Sequence, residues 1–313
     1  MKIILLATPE IALPVYHALQ SNHQLLAVLT QTDKPVGRSK QLVPSPIAQA
    51  AEADGVTIYK ADKITPELTA QLCQLGADIF VTFAYGVILP KDFLEITPHG
   101  GINIHPSLLP KLRGPSPMQT ALLLGEPTGI TVQQIALKVD SGDILYQENV
   151  DITDETDILS LTEYVANRSA QIILDVLQNI ANGTIVPQKQ DETAATFSRM
   201  INKEDGKIDW HKPVREIFNQ IRAFSAWPVA FSTVEGQKIL FHKAIPDETG
   251  LFDRYKDCAD GQIVILDRKD GIYIKCCDGL LRIMRLQLQG KNILDYKDFA
   301  NGGQRFLNKI LES

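Results

Sequence analysis

The chain has 313 residues, 44% hydrophobic and 22% charged, with a formal net charge of −6. That composition allows a sizeable core and, at roughly 150 residues per domain, two domains; the acidic balance argues against indiscriminate nucleic-acid binding. No apolar run reaches the ~18 residues of a membrane span, the apolar opening at residues 3–7 is too short for a signal peptide, and Cys73, Cys258, Cys276 and Cys277 contain no C-x-x-C pair. A membrane protein, a zinc site and a disulfide frame are set aside, and the cytoplasm is the expected compartment.

Residues 2–7 read as a strand, 11–20 as a helix and 25–30 as a second strand. The intervening Ala7-Thr8-Pro9-Glu10 lacks the G-x-G-x-x-G that lets a pyrophosphate approach the backbone, which argues against a dinucleotide cofactor. Residues 31–44 form a polar connection longer than the ~2–6 residues of an ordinary βα loop. Lys34, Arg38 and Lys40 make it basic and Gly37 keeps it pliable, as a loop that orders on a phosphate backbone requires; an inert surface insertion is the other reading.

Ser45-Pro46 and Thr65-Pro66-Glu67 are helix starts, with a hydroxyl N-cap followed by proline. The helices run to about 54 and 76, with strands at 56–59 and 78–83. After a short helix at 90–96 comes Gly101-Ile102-Asn103-Ile104-His105-Pro106. Alternation puts Asn103 and His105 on one face of a strand, and Pro106, without an N–H, stops it. Strand and helix alternating in this way give a parallel sheet covered on both faces, whose ligands sit outside the carboxyl ends of the strands.

A helix at 118–124, strands at 130–139 and 144–152 around Asp140-Ser141-Gly142-Asp143, and a helix at 157–182 complete the first half. Residues 187–203 are polar, without periodicity, and read as a linker. Beyond Ile208-Asp209-Trp210 an amphipathic helix at 213–224 gives way to short strands with turns at Glu235-Gly236 and Asp270-Gly271; that spacing suggests a small barrel, with an OB-like form plausible. Residues 1–203 carry 14 basic and 21 acidic side chains and residues 204–313 carry 17 and 16, so the second part is better suited to lie near a phosphate backbone.

An amide donor beside an imidazole at a strand end would serve acyl or formyl transfer, where negative charge develops on a carbonyl oxygen; the same two groups could merely satisfy loop backbone. Asp140 could orient His105, or the D-S-G-D turn could be structural. A serine hydrolase built on Ser107 or Ser116 with His105 and Asp140 lacks the G-x-S-x-G elbow, and Pro117 removes the N–H after Ser116 that an oxyanion hole would use. A zinc hydrolase lacks H-E-x-x-H, and Gly100-Gly101 separates His99 from His105.

Asn103-x-His105-x-Ser107-Leu108-Leu109-Pro110, Arg113-Gly114, Gln119 and Asp140-Ser141-Gly142-Asp143 resemble the signature of the enzymes that transfer the formyl group of 10-formyltetrahydrofolate. The resemblance extends to Asp33-x-Pro35-x-Gly37-Arg38, Ser45-Pro46, Ala84-Tyr85-Gly86, Ile208-Asp209-Trp210, Arg222-Ala223-Phe224, Trp227-Pro228 and Gln289-Gly290-Lys291. Ala7 stands where that family usually has glycine, and Pro106 where it often has glycine or alanine. The resemblance implies an α/β, Rossmann-like formyltransferase domain with a parallel sheet at 1–187, a linker at 188–203 and an OB-like β-barrel at 204–313. It implies Asn103, His105 and Asp140 as the catalytic set, folate along Tyr85, Gly86, Ser107, Leu108, Leu109 and Pro110, and no metal. The acceptor it implies is the α-amine of methionine on initiator tRNA, held by Lys34, Arg38, Lys40 and the barrel, with a monomer as the expected state. A sugar-nucleotide formyltransferase and a non-catalytic RNA- or folate-binding protein are the alternatives.

Overall fold

The computed structural model describes residues 1–37 and 40–313. Its first unit takes in Met1–Pro117, Thr128–Asp151 and Thr162–Arg199, and its second Met118–Pro127, Ile152–Leu161 and Met200–Ser313. Two short stretches of the N-terminal half therefore keep company with the C-terminal residues.

The strands of the first unit are β1 (Lys2–Ala7), β2 (Gln24–Thr30), β3 (Lys34–Val36), β4 (Gln41–Val43), β5 (Thr57–Lys60), β6 (Ile79–Phe83), β7 (Gly101–His105), β8 (Thr128–Gln134) and β9 (Ile144–Val150). The helices of the N-terminal half are α1 (Leu13–Asn22), α2 (Pro46–Ala53), α3 (Pro66–Gln74), α4 (Lys91–Leu94), α5 (Pro117–Leu124) and α6 (Ile158–Ala181). The main sheet has the order β5-β2-β1-β6-β7-β8-β9. Its first five strands are parallel, and β1 and β6 are buried throughout apart from Lys2, as strands covered on both faces must be. The N-cap signals bear out: Ser45 Oγ accepts from Ala48 N–H at 3.1 Å and Thr65 Oγ1 from Leu68 N–H at 3.3 Å.

Three expectations need correcting. The sheet is not wholly parallel, because β8 pairs antiparallel with both β7 and β9. The strand expected to reach residue 139 stops at Gln134; Leu137 and Val139 are exposed, so there is no covering layer to hold them in the sheet. The polar connection after β2, expected as a long pliable loop, contains two paired strands, β3 and β4, with Lys34 opposite Val43.

The second unit contains α7 (Val214–Ala223), β10 (Ala230–Val234), β11 (Gln237–Pro246), α8 (Phe252–Tyr255), β12 (Ile263–Asp267), β13 (Gly271–Cys276), β14 (Gly279–Leu288), β15 (Ile293–Asp295) and α9 (Tyr296–Gly302). Its sheet is antiparallel in the order β10-β11-β14-β13-β12, with β15 on β14. Trp210, fully buried, packs edge-on against Phe241 at 5.5 Å in the core of that sheet. Asn219 on α7 donates to the Leu123 carbonyl at 3.2 Å and Arg222 to the Thr153 carbonyl at 2.7 Å. Among the described residues no helix is long and apolar enough to cross a membrane.

Candidate active site

β7 delivers Asn103 and His105 to its carboxyl end, where Thr82 of β6 lies opposite Asn103 and Gln133 of β8 lies on its other side. Asp140 arrives from the loop between β8 and β9, with its backbone in the left-handed region at φ 53°. Its Oδ1 is 3.4 Å from Asn103 Nδ2 and 3.6 Å from His105 Nδ1. Gln133 Nε2 donates to the same oxygen at 3.1 Å, and Gly114 N–H donates to Oδ2 at 2.8 Å. Three groups separated by up to 37 positions in the chain thus meet in one place.

The hydrogen-bond roles follow from which partners can only accept. A carboxylate and a carbonyl offer no proton, so the Asn103 nitrogen faces Asp140 and its oxygen faces Thr82, whose hydroxyl donates at 2.6 Å. One N–H of that amide points to Asp140, which leaves the second to face a reactant. His105 Nε2 lies 3.0 Å from the Leu112 carbonyl and must carry its hydrogen there. The ring atom whose proton can come and go is therefore Nδ1, beside Asp140. Both side chains are nearly excluded from water, at 6% and 11% exposure, where fixed dipoles and charges act more strongly than in solvent.

Of the residues expected along the folate, Ser107 is fully buried and its hydroxyl donates to the Lys111 carbonyl at 2.6 Å. Leu109 is buried, with its N–H on Thr131 Oγ1 and its carbonyl taken by Gln147. Leu108 and Pro110 are half-buried. Tyr85 is buried, and its hydroxyl, pushed up by burial so that it stays protonated, donates to the Ala61 carbonyl. Gly86, at φ 76°, lines an open cavity of about 590 Å³ with Gln31, Lys34, Ile64, Val87 and Ile88. Lys34 pairs with Asp62 at 2.8 Å, which draws the Asp62 carboxyl down to about 2, and Lys40 is exposed. Arg38 lies outside the described residues.

Sequence reasoning missed the groups that aim these side chains. Thr82 and Gln133 carry no signal in their own stretches, and Gly114 stands out only within the Arg113-Gly114 pair, because each acts on a residue far away in the chain. It also missed the apolar surface beside Asp140, where Leu137 and Val139 are 62% and 57% exposed.

The formyl transferase family model matches residues 1–177, and the model of the formyl transferase C-terminal domain matches residues 200–304. A methionyl-tRNA formyltransferase of Listeria monocytogenes serotype 4a is 39% identical over 311 residues, covering 98% of this chain and 97% of that protein. One from Borreliella afzelii is 36% identical, covering 100% and 98%. Among solved structures, an N-formyltransferase of Helicobacter canadensis in complex with folinic acid and dTDP-3-aminofucose superposes with a TM-score of 0.65 at 22% identity, covering 90% of this chain and 97% of its own. HypX from Aquifex aeolicus in complex with tetrahydrofolic acid gives 0.65 at 18%, this chain spanning 48% of its length. At that identity the two structures speak for the fold alone.

Proposed function

We propose, from the premise that the chain belongs to the formyl transferase family, that it transfers the formyl group of 10-formyltetrahydrofolate to the α-amine of methionine on initiator tRNA. Relatives named for that reaction match the chain from end to end at 36–39% identity. The observation that carries the chemistry is the convergence of an amide donor, an imidazole and a carboxylate at the carboxyl end of β7.

The folate supplies the formyl carbon, and in this reading its flat ring finds apolar contact at the exposed Leu137 and Val139 near Asp140 and polar partners in the cavity after β6, which Gly86 lines with Gln31 and Lys34. In the reaction the amine nitrogen bonds to the formyl carbon, that carbon's bond to the folate nitrogen breaks, and one proton passes from the amine to the folate nitrogen. In this reading the free N–H of Asn103 meets the formyl oxygen as negative charge grows on it. A preorganised donor of this kind contributes about 3 kcal/mol of transition-state stabilisation. His105 places its one adjustable proton site, Nδ1, at the edge of the same space, and Asp140 fixes the ring's orientation there. Gly86, Leu108 and Pro110 are the folate-facing members of the expected set, while Tyr85, Ser107 and Leu109 shape the walls through the bonds given above.

Lys34, Arg38 and Lys40 are read as contacts to the tRNA backbone, Lys34 from strand β3. The second unit is read as an OB-like barrel that holds the same backbone. Residues 308–312 support closure, because Glu312 N–H donates to the Thr233 carbonyl on β10 and Ile263 N–H on β12 donates to the Lys309 carbonyl, so one segment engages both edge strands. A monomer in the cytoplasm completes the proposal.

The test is to incubate the protein with 10-formyltetrahydrofolate and either methionine-charged initiator tRNA or an amino-sugar nucleotide, and to identify the formylated product. Formyl-methionyl-tRNA is expected; formylation of the sugar alone, or of neither, refutes the assignment.

A further inference from the structure

Residues 188–199 lie against the proposed catalytic set rather than hanging between domains. Gln188 pairs with Ile144 in both directions, Arg113 N–H donates to the Thr196 carbonyl at 2.9 Å, and Ser198 N–H returns a bond to the Arg113 carbonyl at 2.7 Å. Between these attachments Gln190 reaches inward. Its Nε2 lies 3.0 Å from the Asp140 carbonyl, 2.7 Å from the Gly142 carbonyl and 3.2 Å from Gln133 Oε1. Its Oε1 accepts from Arg113 Nε at 3.2 Å and Nη2 at 2.7 Å.

Arg113 is 1% exposed, a buried guanidinium whose planar fork fixes the Gln190 amide plane. The orientation is unambiguous, because arginine only donates and carbonyls only accept. Glu192 closes the far side of Arg113 at 2.7 Å and also takes Lys138 at 2.6 Å; Arg113 first, then Lys138, draws the Glu192 carboxyl down to about 2. Asp140 holds a positive φ that non-glycine residues seldom adopt, so its backbone needs external restraint to keep the carboxylate aimed.

We propose that Gln190 is a positioning residue for Asp140: gripped by the buried Arg113, it holds the 140–142 turn so that the carboxylate stays on His105 and Asn103. The inference rests on the reading of Asp140 as part of the catalytic set. Gln190 touches neither His105 nor Asn103, and its effect passes through the Asp140 and Gly142 peptides. Release of the turn lets the carboxylate drift, and a misplacement of about 1 Å in such a site can cost 10²-fold in rate.

The test uses the full chain with Gln190→Glu, which keeps the length of the side chain and the acceptors for Arg113 but removes the donors to the turn. The expected result is a kcat 10- to 100-fold lower with KM for both substrates within about twofold, and a melting temperature within a few degrees of the parent. Gln190→Met is read in the same way should the glutamate variant not fold. Single-turnover rates of Asp140→Asn and of Asp140→Asn with Gln190→Glu then separate positioning from general support. If Gln190 acts through Asp140, the double variant is no slower than Asp140→Asn, whereas a merely structural role makes the losses multiply. An unchanged kcat in folded Gln190→Glu, with Asp140→Asn impaired, overturns this inference alone. Full activity in Asp140→Asn overturns the catalytic reading beneath it.

Discussion

Replacing Asn103 tests the proposed chemistry and the geometry separately. Asn103→Ala removes the free N–H assigned to the formyl oxygen, and loss of one such donor lowers kcat about 10²- to 10³-fold. Its cost to stability is about 1 kcal/mol, because the Thr82 hydroxyl loses its acceptor at 2.6 Å but retains the Ile102 carbonyl at 3.5 Å. Asn103→Asp keeps the shape and Thr82's acceptor, yet sets an oxygen where the nitrogen stood, 3.4 Å from Asp140 Oδ1. Two unit charges at that distance repel by about 5 kcal/mol at an effective dielectric of ~20. A proton shared between the carboxylates relieves the repulsion, so the folded form binds protons more tightly than the unfolded chain and the loss of stability grows as pH rises. Steady-state formylation should place both variants far below the parent. Thermal melting should place Asn103→Asp well below Asn103→Ala at pH 8, with the gap narrowing at pH 5. A kcat within tenfold of the parent for Asn103→Ala refutes the oxyanion role; equal melting of the two variants at pH 8 refutes the contact with Asp140.

Other expectations follow from the same structure. A Cβ on Gly142 would sit 1.7 Å from the Gln134 carbonyl oxygen, so Gly142→Ala must displace the Asp140 turn; a fall in kcat of about 10²-fold is expected from that shift, and an unchanged kcat would disprove it. Arg38→Ala should weaken use of tRNA and flatten the salt dependence of its KM by about one unit of log–log slope, whereas an unaltered slope counts against Arg38 as a tRNA contact. Arg168 grips Glu148 at 2.8 and 2.6 Å and holds its carboxyl below the usual range. That stability is present above the unfolded carboxylate value of about 4.3 and fades as pH falls through the lower folded value. Glu148→Gln should therefore melt about 2–4 °C below the parent at pH 7, as expected for a loss of about 1 kcal/mol, and should converge with it in acid; a constant offset across pH would exclude the ion pair as the cause.

The elements that announce themselves locally were legible in the sequence. Ser45 and Thr65 cap α2 and α3 as their hydroxyl-proline pattern requires, and β7 runs from Gly101 to His105, ended by Pro106. What the sequence hid is what depends on partners far along the chain. The apolar run through β8 carries no mark of strand direction, so its antiparallel pairing went unread. Residues 188–199 look like a tether because the side chain that fastens them, Gln190, finds its partners on Arg113, Gln133 and Gly142, all distant in the chain. The Asn103–His105 pair was visible as strand alternation, but the groups that orient it, Thr82 and the Leu112 carbonyl, were not.

Residues 118–127 and 152–161 emerge early from a ribosome yet belong with chain made much later. Until α7 is available, the Leu123 carbonyl has no Asn219 to meet and the Thr153 carbonyl no Arg222. Dissection at residue 199 would make that temporary condition permanent: an excised N-terminal fragment would carry two stretches stripped of their partners, and its catalytic competence could not be judged from the sheet it retains. A soluble truncation would more sensibly keep residues 200–313, or replace what α7 supplies to those two stretches.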